Sequence, residues 1–303
     1  RAELKSGTMT DIHFIVNPIA GKGGQVLDKV TLSKYFDPQF YHITVKTSNY
    51  AGHASKLAQE SLCEGAKVLV ACGGDGTINE VASCLVRTKV LLGIIPMGSG
   101  NGLAESLGIP RRLQEAVDII KKGRTSVIDV ALVNGKPFFS NMGIGFDAKV
   151  ISNYNKASGR RFWAYLKAVF KSIREFKPVE NINVELNGKT FSVNPFMFFV
   201  SNSKVMGYDI SLTRMASMED GLLDVVVIES LGRGEMLLVG LMVLLKLNQY
   251  LNKIQYFKEK EIKLAFEGGH RDRLMQADGE LHHLENNELT VSIVGKALKV
   301  LVP

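Results

Sequence analysis

Three glycine-rich turns each follow an apolar run: NPIAGKGG at 17–24, GGDGT at 73–77 and PMGSGNGLAESLG at 96–108. Turns of this composition can present backbone N–H groups to an anion. Glycine allows the positive φ angles and close approach that phosphate contacts need. The second and third turns open helices, whose N-terminal ends favour negative charge. One such turn is weak evidence of a phosphate site. Three at strand carboxyl ends are stronger, because open α/β sheets bind ligands along that edge. The second turn also carries Asp75, a carboxylate where phosphate charge would sit.

Local structure offers a plainer account of several of these residues. Thr77 and Glu80 have the spacing of a capping box. Ser99 and Asn101 suit the cap of the following helix, Asn17-Pro18 suits a turn, and Lys22 could be a solvated loop lysine. The sequence excludes other phosphate chemistries. It has no GxxxxGK[ST], no GxGxxG after the first strand, and no HRD with DFG.

The elements that must position these turns alternate through the first half. IHFIVN (12–17), YHITVKT (41–47), KVLVAC (67–72) and VLLGIIP (90–96) read as strands. Helices are expected near 24–34, over 51–65, from Ile78 to about Arg87, and over 113–123 ending at Gly123. This order predicts βαβ units and a mainly parallel sheet. After Thr125 the pattern changes to alternating apolar and polar residues, with Asn-Gly turns at 134–135 and 187–188. That pattern predicts antiparallel hairpins with two inserted helices. The expected fold class is therefore α/β. An N-terminal parallel nucleotide-binding domain (9–129) would precede a C-terminal antiparallel β-rich domain (130–296), and strand 297–303 could return to either. Residues 1–8 are left out of this reading as a lead-in.

The chain has 303 residues, a net charge of +7 and 46% hydrophobic residues. It can bury a substantial core and favours anionic partners. Cys63, Cys72 and Cys84 lack CxxC spacing, which points to reduced thiols in a cytosolic compartment. The longest apolar run, 236–245, is too short to span a bilayer. His53, His282 and His283 read as structural.

NPIAGKG, GGDGTINEV and PMGSGNGLA, in this order, resemble the diacylglycerol kinase catalytic-domain superfamily, which includes bacterial lipid kinases, sphingosine kinases and ceramide kinases. GIGFDAKV (143–150), EDGLLDVVVI (219–228) and QADGE (276–280) extend the resemblance over nearly the whole chain. It implies an ATP- and Mg²⁺-dependent lipid kinase with an interdomain active site. Asn17, Gly21, Lys22 and Thr47 would line the nucleotide phosphates. Gly73, Gly74, Asp75, Gly76, Thr77 and Glu80 would form the central ATP loop, and Ser99 would also meet the nucleotide. Glu280 matches the general base of the bacterial enzymes, whereas Asp75 matches the base assigned in sphingosine kinases. Asp147 matches a sphingoid head-group contact. Ser217, Asp220 and the backbone of Leu222 match a magnesium site.

This chemistry is coherent. Phosphoryl transfer to a lipid hydroxyl needs positioning, charge neutralisation and a carboxylate near the attacking oxygen. Asp75 fits beside phosphates if Mg²⁺ lies between them, or if it faces the acceptor hydroxyl. Diacylglycerol and sphingoid bases both remain open as substrates. The alternatives are a soluble-metabolite kinase of the NAD-kinase type and a non-catalytic module that binds nucleotide and membrane. The expected location is cytoplasmic, peripheral at the inner membrane surface. The expected partners are a lipid substrate and an anionic membrane surface, not nucleic acid; a homodimer is left open. The segment 160–177 predicts an amphipathic helix. Arg160, Lys167, Lys171 and Arg174 would lie on one face, and Phe162, Leu166, Val169, Ile173 and Phe176 on the other. That helix suits either packing on the β domain or contact with anionic lipid.

Overall fold

The computed structural model describes residues 9–21, 27–98, 100–156, 162–177, 181–204, 212–213, 215–244, 253–267 and 273–303. The chain divides into two compact units, one of residues 1–130 with 295–303 and one of residues 131–294. Lys22, Ser99 and Arg160 lie outside the described residues.

The first unit runs β1 (Thr10–Val16), α1 (Lys29–Ser33), β2 (Tyr41–Thr47), α2 (His53–Cys63), β3 (Val68–Gly73), α3 (Asp75–Leu85), β4 (Leu91–Pro96), α4 (Gly102–Ser106) and α5 (Leu113–Lys122). Then β5 (Thr125–Val133) leads towards the second unit. Its strands are parallel in the order β2-β1-β3-β4. All six residues of β3 are buried, as a parallel strand covered on both faces requires. Helix α5 buries Ala116, Val117, Ile119 and Ile120 on one stripe. Glu115 in its first turn and Lys121 and Lys122 in its last match the helix dipole.

The second unit continues with β6 (Lys136–Phe138), β7 (Asn141–Gly145), α6 (Phe146–Asn155), α7 (Phe162–Glu175), β8 (Ile182–Leu186), β9 (Lys189–Val193) and β10 (Pro195–Ser201). There follow β11 (Leu223–Glu229), α8 (Arg233–Leu244), β12 (Ile254–Glu259), β13 (Glu261–Phe266), β14 (Leu274–Ala277), β15 (Glu280–His283) and β16 (Glu288–Leu301). One antiparallel set runs β12-β11-β10-β7-β14-β15, and a second runs β16-β13-β8-β9. Asn134-Gly135, Asn187-Gly188 and Asp278-Gly279 all have positive φ at both positions, and each joins two paired strands in a two-residue turn.

Strand β10 is buried along its whole length because both of its faces are covered. Phe198 and Val200 enter one core with Val225, Val227, Val184, Ile262 and Val291. Phe199 enters another with Val226, Ile228, Met236 and Val239. The last part of β16 leaves the second unit and pairs in parallel with β4, Val300 opposite Leu92.

Two expectations change. Residues 146–155 form helix α6 rather than continuing the hairpin pattern. Gly145, at φ 88° and ψ −125°, ends β7 in a conformation open essentially to glycine alone. The second unit therefore holds three helices among its described residues rather than two. Helix α3 starts at Asp75, three residues earlier than expected.

Phe198 has no exposed surface. Phe198→Ala is expected to cost about 3–5 kcal/mol of stability, measured as a shift in the urea unfolding of the full chain.

Candidate functional site

In the first unit, β1 lies between β2 and β3, so the connections from β1 and from β3 depart on opposite sides. That reversal is the switch point at which α/β sheets open a crevice beyond their carboxyl ends. The first two glycine turns begin there. Asn17 Nδ2 donates to Thr77 Oγ1 at 3.2 Å and links them. Thr47, opposite Val16 in the register, ends β2 on the same edge and is exposed. The third turn follows β4, next to β3. A Cβ on Gly98 would lie 2.6 Å from the Cα of Gly74, so only glycine permits this backbone approach. A Cβ on Gly21 would lie 3.0 Å from the Met97 carbonyl oxygen, which brings the first turn against the third.

Asp75 holds this assembly together. Its Oδ2 accepts from the Asn101 N–H at 2.8 Å and its Oδ1 from the Gly102 N–H at 2.6 Å. Asn101 adopts φ 57° and bonds the backbone of Gly98 in both directions, N–H to Oδ1 at 2.9 Å and Nδ2 to carbonyl at 2.7 Å. Asn101 stands at the N-cap position of α4, as the sequence suggested, but its side chain makes no capping hydrogen bond and closes the preceding turn.

The capping box of Thr77 and Glu80 does not form. Gly74 is the N-cap, which places Thr77 inside the first turn of α3. The turn from β3 is too tight for a cap residue at 77: a Cβ on Gly73 would already meet the Thr77 side chain at 2.6 Å. Glu80 reaches the neighbouring helix instead. It accepts from Gly52 N–H at 2.8 Å and Ser55 N–H at 3.2 Å, and so caps the N-terminus of α2.

The second unit holds a separate polar cluster. Asp147, in the first turn of α6, is only 6% exposed and accepts from Gln276 Nε2 at 2.6 Å. Gln276 is 2% exposed, and the same nitrogen donates to Asn141 Oδ1 at 2.9 Å. Its Oε1 accepts from the Gly279 N–H at 2.9 Å, so one amide links Asp147 to the turn that precedes Glu280. Asp278 accepts from the N–H groups of Phe139 (2.8 Å), Ser140 (2.7 Å) and Asn141 (3.2 Å). Glu280 stands exposed at the start of β15.

Burial pushes the Asp147 carboxyl up to about 6, against the opposing pull of the Gln276 hydrogen bond. The carboxylate also depends on Gly143, where a Cβ would lie 2.1 Å from Asp147 Oδ2. Gln276 and Asn141 were missed as site residues. Their signal was position alone, beside the DGE turn and at the start of the strand leading to GIGFD.

Ser217, Asp220 and Leu222 lie together in the segment that leads into β11. Asp220 Oδ1 accepts from the Leu222 N–H at 3.1 Å, and its Oδ2 lies 2.9 Å from Lys258 Nζ. Ser217 Oγ accepts from the Glu219 N–H at 3.2 Å. Lys258 is directly opposite Asp224 in the β11–β12 register and 3.4 Å from its Oδ2, so its ammonium bridges the two carboxylates. Among the described residues, no group of three His, Cys, Asp or Glu side chains could hold a metal ion.

Comparison with known proteins agrees with this architecture. Residues 11–133 match the diacylglycerol kinase catalytic domain, and residues 140–302 match the YegS C-terminal NAD kinase beta sandwich-like domain. The chain belongs to the family of kinases built from these two domains, the diacylglycerol kinase family. It is 29% identical to the diacylglycerol kinase of Bacillus subtilis over 271 residues, covering 84% of this chain and 86% of that protein. It is also 29% identical to an uncharacterized protein of Synechocystis over 231 residues, covering 72% of this chain but only 53% of that longer relative. A solved Bacillus anthracis str. Sterne protein, provisionally described as a diacylglycerol kinase, superposes with a TM-score of 0.76 at 25% identity, covering 99% of each chain.

The raised Asp147 pKa has a sign that can be tested. The folded state holds this proton more tightly than the unfolded chain does, whose carboxyl titrates near the ordinary value of 3.8. Asp147 therefore costs stability as pH rises from about 4 to about 6, by about 2–3 kcal/mol when complete. Asp147→Asn should remove that part of the slope. The check is the difference between wild-type and variant Tm across this pH range.

Proposed function

We propose that this protein is an ATP-dependent lipid kinase that transfers a γ-phosphoryl group to the hydroxyl of a lipid such as diacylglycerol or a sphingoid base. The observation that carries the reading is the convergence of three glycine turns along the carboxyl edge of β1, β3 and β4, linked by the Asn17–Thr77 bond and by Asp75. Backbone N–H groups and the open carboxyl edge of the sheet suit the phosphates of ATP, presented as its Mg²⁺ complex. Asn17, Gly21, Thr47 and residues 73–77 are assigned to line them. Lys22 and Ser99 are assigned there on sequence alone. Glu80 acts at one remove, by fixing α2 beside the loop.

The acceptor is assigned to the second unit. Glu280 is the exposed carboxylate available to take the hydroxyl proton as phosphoryl transfer proceeds. Asp147 is assigned to the head group, and Gln276 positions it. Asp75 keeps the third turn in place, and its two hydrogen bonds to backbone N–H groups favour that positioning role over proton transfer. Ser217, Asp220 and the backbone of Leu222 are assigned to a magnesium ion by resemblance alone. Among the described residues no helix is long and apolar enough to cross a membrane, so the lipid is taken to be met at a surface.

Incubation with γ-labelled ATP, Mg²⁺ and either extracted lipids or NAD separates the readings. Label is expected on a lipid, and label on NAD alone would sink the proposal. Glu280→Gln should lower kcat by about 10²-fold or more, as loss of a general base does. Wild-type turnover in that variant would remove Glu280 from the mechanism.

A further inference from the structure

Val16 at the end of β1 pairs with Thr47 at the end of β2, and Ile19 and Tyr50 each stand three residues further on. Tyr50 is 63% exposed and Ile19 is 87% exposed. Two large, mostly apolar side chains thus stand at matching places on the carboxyl edge, beside the glycine turns. A lone exposed apolar side chain is ordinary. Tyr50 is set apart by what holds it. Its ring lies flat on the His53 ring, 4.5 Å between centroids and 9° from parallel. The Asn49 N–H donates to His53 Nδ1 at 3.1 Å, so the imidazole carries its proton on Nε2 and is neutral.

The loop beneath is tied down at each end. The Ser48 N–H donates to the Val16 carbonyl at 2.8 Å, and the His53 N–H to the Tyr50 carbonyl at 3.2 Å. Gly52, at φ 85°, gives its N–H to Glu80 Oε1 at 2.8 Å. Glu80 belongs to α3, the helix that opens from the second glycine turn. One face of the Tyr50 ring is therefore covered, most of the rest is open, and the frame is shared with a phosphate turn.

An open aromatic face fixed in advance suits a flat π system, which stacks on it with little left to order. A ligand whose phosphates lie on the glycine turns would bring that π system at its other end. Three residues of chain beyond Thr47 reach about 10 Å, which leaves room between for a ribose and its phosphates. A nucleotide base meets these terms, and an acyl chain has no π face to offer. We propose that Tyr50, backed by His53 and flanked by Ile19, is the platform on which the purine of ATP stacks. The proposal deepens the ATP-dependent kinase reading, on which it rests, by placing the base that the phosphate turns leave unassigned. It also gives Glu80 a purpose, which is to hold the platform in register with the second turn.

Binding of ATP and of tripolyphosphate, each with Mg²⁺, is measured by titration calorimetry on the full chain without lipid. Tyr50→Ala is expected to weaken ATP binding about 5-fold to 100-fold, the range of one base–aromatic contact, and to leave tripolyphosphate binding as it was. Tyr50→Phe should restore ATP affinity. In turnover, Tyr50→Ala should raise KM for ATP more than it lowers kcat. Ile19→Ser, which leaves the ring pair in place, should also weaken ATP selectively, by a smaller factor.

Three outcomes would overturn the platform: unchanged ATP affinity in Tyr50→Ala, an equal loss for ATP and tripolyphosphate, or equal wild-type affinities for the two ligands. An equal loss would mark a loop that had lost its shape. The two readings fail separately. Lipid phosphorylation with ATP binding indifferent to Tyr50 would defeat the platform alone. ATP binding that depends on Tyr50, with no lipid phosphorylated, would defeat the kinase reading and leave the platform. A wild-type chain that binds no ATP would defeat both.

Discussion

Backbone N–H groups left over where loops meet strand ends need acceptors, and burying them without one costs as much as a lost hydrogen bond. In both units a carboxylate from a neighbouring turn supplies the acceptor. Asp75, after β3, takes the amides of Asn101 and Gly102 after β4. Asp278, between β14 and β15, takes those of Phe139, Ser140 and Asn141 ahead of β7. Each carboxylate fixes backbone beside the end of a neighbouring strand. The candidate site residues lie on or beside those loops, so their placement depends on this one kind of contact.

The same constraint accounts for the glycines. Loops pulled together by charge-assisted bonds leave no room for side chains between them. Gly98 against Gly74, and Gly143 against Asp147, are close because a carboxylate or a backbone segment occupies the space a Cβ would need. Phosphate binding and loop packing therefore ask for the same residue type. A glycine-rich turn read from sequence does not say which demand is being met.

The carboxylates divide by environment. Asp147 is buried and holds its proton to about 6. Asp220 and Asp224 both pair with Lys258, which lies on the neighbouring strand from Asp224. Glu280 stands exposed at a strand start. Residues of one chemical class thus occupy buried, ion-paired and exposed places within one chain.

Much was legible in the sequence. The apolar runs and their spacing were enough for the parallel strands, because a strand buried on both faces must be apolar throughout. The Asn-Gly pairs were enough for the hairpins, because few residues accept two positive φ angles in succession. The three glycine turns marked the ligand edge. Tertiary structure alone decided which acceptor meets which donor. Glu80 caps α2 rather than its own helix, Asp75 holds the third turn, Gln276 links Asp147 to the DGE turn, and Lys258 faces Asp220. Each pairing joins residues far apart in the chain, and hydrogen bonds over such separations follow from strand order and register, which local spacing does not encode.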